Sequence, residues 1–401
     1  HETGHAILDG IEPSLLEAIG PHPRALHEGL ADLISALMAF KSNTLSKYVL
    51  SHCNGSILEA TAFSDIAEQI GPLLNSGDAP LRALINDVHL DPGQPADYAS
   101  PDQPYNLCLV ISGALYNILQ IHHEYLKQEL AGTIYKSFPD PFYSASGRAL
   151  MDSSRVLRRN IFRALDFLPP GEISLADYGR ALCAATANSY DEVMSYEQWI
   201  RAEFYRRKIV YDPRELDLDL FLDPPCPQPI EQIYKDDQAA RTFVEKNRDW
   251  IGIPPGDPFE IRPRLDVAPN DAHHTCIMKV TWGHREPNRM GDEFPPERWI
   301  RVGTTVVFDW EGEVAARLSC APPTSELYPD PEVLQLVTRT FQRRQSDTDR
   351  YLIWLSKNVM FRERSLEQQS LGLDELPTDD SVYAEFEWQV MRARGAGLGL
   401  H

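Results

Sequence analysis

Two histidines and a glutamate open the sequence, in the string HETGH at residues 1–5. In a helix, residues four apart project from the same face, so His1 and His5 can bind one metal ion. Glu2 then lies beside that face, where its carboxylate can take a proton from a water activated by the metal. The spacing therefore predicts a zinc site with a general base.

A zinc site with two histidines needs a third protein ligand, commonly a carboxylate, and leaves its fourth position to water. The string HEGLAD at residues 27–32 contains Glu28 and Asp32, which are four residues apart and share a helix face. One carboxylate can bind the metal while the other supports a ligand histidine through its second ring nitrogen. Asp9, four residues after His5, is another candidate for such support.

Helices are predicted to position these residues, because the first half of the chain has helical apolar periodicity and almost no strand alternation. Segment 24–41 shows the pattern most clearly, with a wide apolar stripe. That stripe consists of Leu26, Leu30, Leu33, Ile34, Leu37 and Met38. Further helices are predicted near residues 57–70, 107–129, 150–167, 174–187 and 195–208.

The second half of the chain begins with a Pro-rich stretch, LDPPCPQPIEQ from Leu222, which predicts a linker. Beyond it, a helix near 237–250 and another at 331–343 flank runs with β-branched residues and alternation. Residues 311–313, EGE, lie between two strand-like halves and predict a hairpin.

The predicted fold class is therefore α+β, with a mainly helical part followed by a small domain built on an antiparallel sheet. The predicted boundaries are a helical lobe over 1–210 with the zinc site, a linker over 211–230, an α+β domain over 231–350 and an acidic, helical or irregular tail over 351–401.

Composition narrows the class of protein. A net charge of -21 over 401 residues argues against nucleic-acid binding, which relies on clustered Lys and Arg. No apolar run reaches membrane-spanning length. The six scattered cysteines form no C-x-x-C pair, which argues against a cysteine-built zinc site. Free thiols in a reducing, cytoplasmic compartment are one interpretation and disulfides are the alternative, so the compartment is not assigned.

HETGH followed by HEGLAD resembles the thermolysin-like zinc metallopeptidases, the gluzincins. That family has H-E-x-x-H on one helix and, after a short loop, N-E-x-x-S-D on the next. The resemblance implies one zinc ion bound by His1, His5 and Glu28, with Asp32 bracing a zinc-bound histidine. His27 stands in place of the family's Asn, and Asp9 falls where the family has an Asp.

The resemblance extends along residues 1 to about 208, which correspond to the C-terminal, helical lobe of such a peptidase. SGDAPLRALINDVHLDPGQPADY from Ser76 is similar to a family segment and places Arg82 where an Arg contacts the substrate carbonyl. VISGALYNIL from Val110 is similar to the family's H-I-N-S-G helix, and the segment from Arg163 resembles its closing helices. The resemblance implies a peptide or protein substrate, a β-rich lobe upstream of His1 and, by precedent, export.

The departures from the family concern oxyanion stabilisation and calcium. Leu109 occupies the position of a histidine that donates to the oxyanion, and a lost donor costs roughly 10² to 10³ in rate. Arg82, His52, His122 and His123 are the candidates to replace it. The carboxylates of the family's calcium site are not evident, so calcium is not expected.

The sequence thus predicts a zinc-dependent hydrolase, foremost a peptidase that uses a metal-activated water and Glu2 as general base. Two alternatives stay open. One is a degenerate peptidase fold that binds zinc and acts as a binding or scaffold module, which Leu109 motivates. The other is a zinc hydrolase that acts on a different amide or an ester. Oligomeric state is not predicted.

Overall fold

The structure is a computed structural model and describes residues 1–66, 82–101, 104–131, 144–187, 196–217, 224–267, 275–291 and 296–357. Its first half is helical, as predicted. The helices are α1 Glu2–Ile11, α2 Ser14–Glu17, α3 Pro21–Ala39, α4 Asn43–His52, α5 Pro104–Ala131, α6 Ala145–Phe167, α7 Leu175–Ala187 and α8 Tyr196–Arg206. In the described part of the chain, no helix is both long and apolar enough to cross a membrane.

Helix α3 lies at the centre of this half and is buried along most of its length. Helix α1 crosses it where Gly4 meets Ala31, and a Cβ on Gly4 would lie only 2.9 Å from the Ala31 Cα atom. Helix α5 crosses α3 at Gly29, where a Cβ would lie 2.9 Å from the Cys108 carbonyl oxygen. Glycine at both crossings lets the three backbones approach closely, which brings the side chains of α1 and α3 within contact distance.

The predicted helix near 57–70 is wrong over residues 57–66, and its remainder lies outside the described residues. Thr61 and Ser64 form a local turn in which Ser64 Oγ accepts from the Thr61 amide at 2.9 Å and donates to the Thr61 carbonyl at 3.0 Å. Such side-chain to backbone bonds compete with a helix. The chain then enters β1 (Asp65–Ile66), which pairs antiparallel with β2 (Arg82–Ala83).

The second half contains an antiparallel sheet with helices beside it, which confirms the α+β class. Its elements are α9 Ile230–Lys235, α10 Asp237–Lys246, α11 Arg248–Ile251, β3 Phe259–Ile261, β4 Leu265–Val267, β5 Thr275–Pro287, β6 Glu297–Asp309, β7 Val314–Ser319 and α12 Pro331–Lys357. Strands β3 and β4 lie end to end along one edge of β5, followed by β6 and β7. The predicted hairpin at 311–313 is confirmed as the β6–β7 turn.

One large hydrophobic core runs through both halves of the described chain, and a small second cluster consists of Tyr351, Leu352 and Leu355. Residues 275–282 of β5 are all buried, which means that the sheet is covered on both faces. The predicted linker contains a 3₁₀ helix, Pro213–Leu216, while residues 218–223 lie outside the described residues. The tail from residue 358 also lies outside them, and the predicted domain boundaries stay predictions.

Candidate metal centre

His1, His5 and Glu28 form a cluster whose ligand atoms all lie within 4.8 Å of one another. The two histidine Nε2 atoms are 3.0 Å apart, and each lies 3.5 Å from an oxygen of the Glu28 carboxylate. Tetrahedral zinc with bonds of about 2.0–2.1 Å separates its ligand atoms by roughly 3.3 Å. The donor set and its spacing therefore fit a zinc ion with one position left open.

Asp32 orients the first histidine of this cluster. Its carboxylate is fully buried, and its Oδ1 atom lies 2.8 Å from Nδ1 of His1. This close contact with a carboxylate favours a proton on Nδ1, and Nε2 is the ring nitrogen that faces the cluster. This division assigns the supporting role to Asp32 and leaves Glu28 nearest the ligand nitrogens.

His27 and Asp9 orient the second histidine in the same way, through one more link. Nδ1 of His5 lies 2.9 Å from Nδ1 of His27, and Nε2 of His27 lies 2.8 Å from Oδ1 of Asp9. A neutral His27 that donates from Nε2 to Asp9 presents a lone pair at Nδ1. His5 then donates from its own Nδ1, and its Nε2 lone pair is free for a metal ion.

Electrostatics in the cluster favour an anionic Glu28 and a proton on His1. Hydrogen bonding to Asp32, followed by hydrogen bonding to Glu28, raises the pKa of His1 to about 9. Burial disfavours ionised Glu28, but His1, His5 and Arg82 outweigh it and hold the Glu28 pKa at about 2. Burial lowers the pKa of His5. A metal ion that binds at neutral pH therefore displaces a proton from His1.

Arg82, on β2, joins the two carboxylates of α3. Its NH1 atom donates to Oε2 of Glu28 at 3.0 Å, and its Nε atom lies 2.9 Å from Oδ2 of Asp32. The guanidinium offsets the repulsion between two carboxylates on neighbouring turns of one helix. In the structure, Arg82 thus supports Glu28 and Asp32. Its contact with a substrate carbonyl stays a prediction.

Glu2 differs from the other acidic groups of the site because it is exposed, in the first turn of α1. Its charge acts on the neighbouring His5. Within the described ranges, no hydrogen bond or ion pair engages its carboxylate. A general base needs such an uncommitted carboxylate near the metal ligands.

Leu109 is half-buried and packs against the hydrophobic core. His122 and His123 are almost completely buried in α5, so neither is accessible to a substrate carbonyl. His52 is exposed on α4, where its Nδ1 bonds the Tyr48 carbonyl at 2.8 Å. None of these histidines supplies an evident oxyanion donor at the cluster.

Sequence reasoning missed the thiol of Cys108, which is buried beside Arg82. Burial raises the pKa of this thiol, and Arg82 opposes that rise. A cysteine inside an apolar helical stretch carries no signal in sequence, since free cysteine is a common core residue. The close crossing at Gly29 brings the Cys108 backbone against α3, and Arg82 contacts Glu28 and Asp32 of the same helix.

Burial of His123 predicts a pH-dependent stability. Burial lowers the pKa of His123 from 6.5 to about 4. Neutral His123 therefore contributes fully to the free energy of unfolding above pH 6.5. This contribution is lost as the pH falls toward 4, because the unfolded chain binds the proton first. We expect His123→Gln to reduce the loss of unfolding free energy between pH 7 and 4.5 by up to about 3 kcal/mol in urea titrations. The exposed His52→Gln variant is the control. If the unfolding free energies of wild type and His123→Gln fall equally between pH 7 and 4.5, the prediction is contradicted.

Substitutions of His27 separate its two hydrogen bonds. In His27→Asn the amide oxygen can replace Nδ1 as acceptor for His5, but the link to Asp9 is lost. In His27→Gln the amide nitrogen can replace Nε2 as donor to Asp9, but the acceptor for His5 is lost. We expect zinc affinity, from competition with a chromophoric chelator, to fall by roughly 10- to 100-fold in His27→Gln and by less in His27→Asn, because outer partners tune a ligand at this scale. Equal affinities in all three proteins would show that His27 does not support His5.

The fold and the site together define a mixed α+β protein with a two-histidine, one-glutamate cluster. Comparison of the chain with family models, curated proteins and solved structures finds no match. Any functional assignment therefore depends on the geometry of the cluster.

Proposed function

We propose that this chain carries the metal centre of a zinc-dependent hydrolase, foremost a peptidase. The observation that supports it most is the arrangement of His1, His5 and Glu28 at separations of 3.0 and 3.5 Å, with Nδ1 of each histidine engaged by a supporting residue. A chance surface cluster would have no reason to orient both rings. The thermolysin-like ancestry suggested by HETGH and HEGLAD belongs to the same proposal.

Zinc, when bound, supplies a Lewis acid and lowers the pKa of water toward neutrality. Glu2 takes the proton from the attacking water and then donates it to the leaving amine. Asp32 and His27 hold the ligand histidines in register. Arg82 keeps the carboxylates of Glu28 and Asp32 in place and offsets part of their negative charge.

The second candidate is a zinc-binding scaffold without catalysis, and Leu109 is the observation that favours it. A leucine at the oxyanion position withholds a donor that accounts for roughly 10² to 10³ in rate. The exposed, uncommitted Glu2 favours catalysis instead, since a structural zinc site needs no base and closes its fourth position with a protein ligand.

One experiment tests both candidates. The purified chain is analysed for zinc and then incubated with a broad peptide library and with simple esters. About one zinc per chain and peptide cleavage that a chelator abolishes would support the peptidase. Zinc without any hydrolysis would favour the scaffold, cleavage of esters alone would indicate a different hydrolase, and absence of zinc would refute the proposal.

A further inference from the structure

The connection between α1 and α3, residues 12–20, joins the two helices that carry the candidate zinc ligands. Glu12, at its start, is buried and forms ion pairs with Lys279 of β5 and, at 2.7 Å, with Arg262 between β3 and β4. The Lys279 ammonium also donates to the Leu165 carbonyl at 2.8 Å. One end of the connection is therefore held by the sheet, about 250 residues later in sequence.

The other end of the connection is held by residues that are also distant in sequence. The amides of Ile19 and Gly20 each donate to the buried carboxylate of Glu172 at 2.9 Å. The Glu172 amide donates in turn to the Arg301 carbonyl of β6 at 2.8 Å. His22, in the first turn of α3, lies 3.0 Å from Asp347 of α12 through its Nε2 atom. The sheet thus holds the first end of the connection, and Glu172 and α12 hold the second.

The position of this connection affects the metal site because unbroken helices join its two ends to the candidate ligands. Glu12 is seven residues beyond His5, roughly 10 Å along α1, and Glu28 is eight residues beyond Gly20, roughly 12 Å along α3. A shift or rotation of either helix end is carried along the helix to its ligand. Zinc sites tolerate deviations of only about 0.2 Å in ligand distance.

Electrostatics make the sheet-side contact specific. Burial disfavours ionised Glu12, but the charges of Lys279 and Arg262 outweigh it and lower the Glu12 pKa. The carboxylate is therefore anionic and directed at two cations of the sheet. Removing either cation leaves a buried charge with fewer partners, which disfavours the present position of Glu12.

We propose that Lys279 and Arg262 are positioning residues of the metal centre, which set the geometry of the two zinc-bearing helices by holding Glu12. The inference rests on the proposed zinc site, and it makes the α+β half a necessary part of that site. It does not depend on whether the site catalyses hydrolysis.

Lys279→Met tests this in the whole chain, with zinc affinity from chelator competition and the visible absorption of bound Co²⁺ as readouts. We expect affinity to fall by at least about tenfold, as for loss of other supporting groups, with an altered Co²⁺ spectrum. Asn247→Ala is the control, because this buried amide bonds only Cys226 and Phe243 among the described residues and lies in the same half. It should lower the melting temperature and leave affinity and spectrum unchanged.

The outcomes separate this inference from the proposed function. Zinc bound without hydrolysis, together with weaker binding in Lys279→Met, would refute the hydrolase and support the positioning role. Wild-type affinity in a folded Lys279→Met would overturn the positioning role and leave the hydrolase intact, and a wild-type chain without zinc would overturn both. If Lys279→Met does not fold, Arg262→Met, a change at a half-buried side chain, decides: an affinity reduced several-fold supports the role, and wild-type affinity overturns it.

Discussion

A chain carrying Glu2→Gln is expected to retain zinc and to lose hydrolysis by a factor of roughly 10² to 10⁴, the contribution of a positioned acid–base group. Glutamine has the shape of glutamate but cannot accept the proton from the attacking water. Glu2 is exposed and is not among the ligand atoms of the cluster, so metal content should not change. The measurement is the initial rate on the best peptide of the library, beside zinc content.

Glu129→Gln is the matched control, since Glu129 is also an exposed helical glutamate but lies on α5, away from the cluster residues in sequence. It should have wild-type rate and zinc content. Hydrolysis by Glu2→Gln at the wild-type rate would show that another group accepts the proton. Loss of zinc in Glu2→Gln would instead place this side chain among the ligands.

Glu28→Gln is expected to weaken zinc binding by more than about 100-fold, beyond the roughly 10- to 100-fold cost of losing an outer partner. The substitution replaces the anionic ligand by a neutral amide and leaves the volume unchanged. Arg82 retains its contact with Asp32, so the fold should persist. Zinc affinity from chelator competition and the circular dichroism spectrum are the two measurements.

Glu215→Gln provides the control for Glu28→Gln, because Glu215 is also a buried glutamate. Its carboxylate accepts from the amides of Tyr211 and Asp212 and has no contact with the cluster. We expect Glu215→Gln to lower stability without changing zinc affinity. Wild-type affinity in a folded Glu28→Gln chain would mean that the third ligand is a different group.

Local periodicity made much of the candidate site predictable. A spacing of four residues puts His1 with His5, and Glu28 with Asp32, on one helix face whatever the rest of the chain does. The structure brings all four together with His27 and Asp9 around them. Whether they bind zinc stays a prediction.

Other predictions depended on competition between local and distant interactions. Helices with strong apolar stripes, such as α3, are present as predicted, because burial of the stripe and helical periodicity favour the same structure. The helix near 57–70 is wrong over its described part, since hydroxyl groups of Thr61 and Ser64 stabilise a turn there. Helix propensity over a short segment does not include such side-chain to backbone hydrogen bonds.

The sequence by itself determined which residue types could bind a metal ion and which helix faces they share, because both depend on spacings of a few residues. Only the tertiary structure decided how the two carboxylates of α3 divide their contacts, with Asp32 at Nδ1 of His1 and Glu28 nearest both Nε2 atoms. Only the tertiary structure showed the ion pair between Lys279 and Glu12, which are 267 residues apart in the sequence. Contacts over such separations depend on how whole helices and strands pack, and no local pattern encodes them.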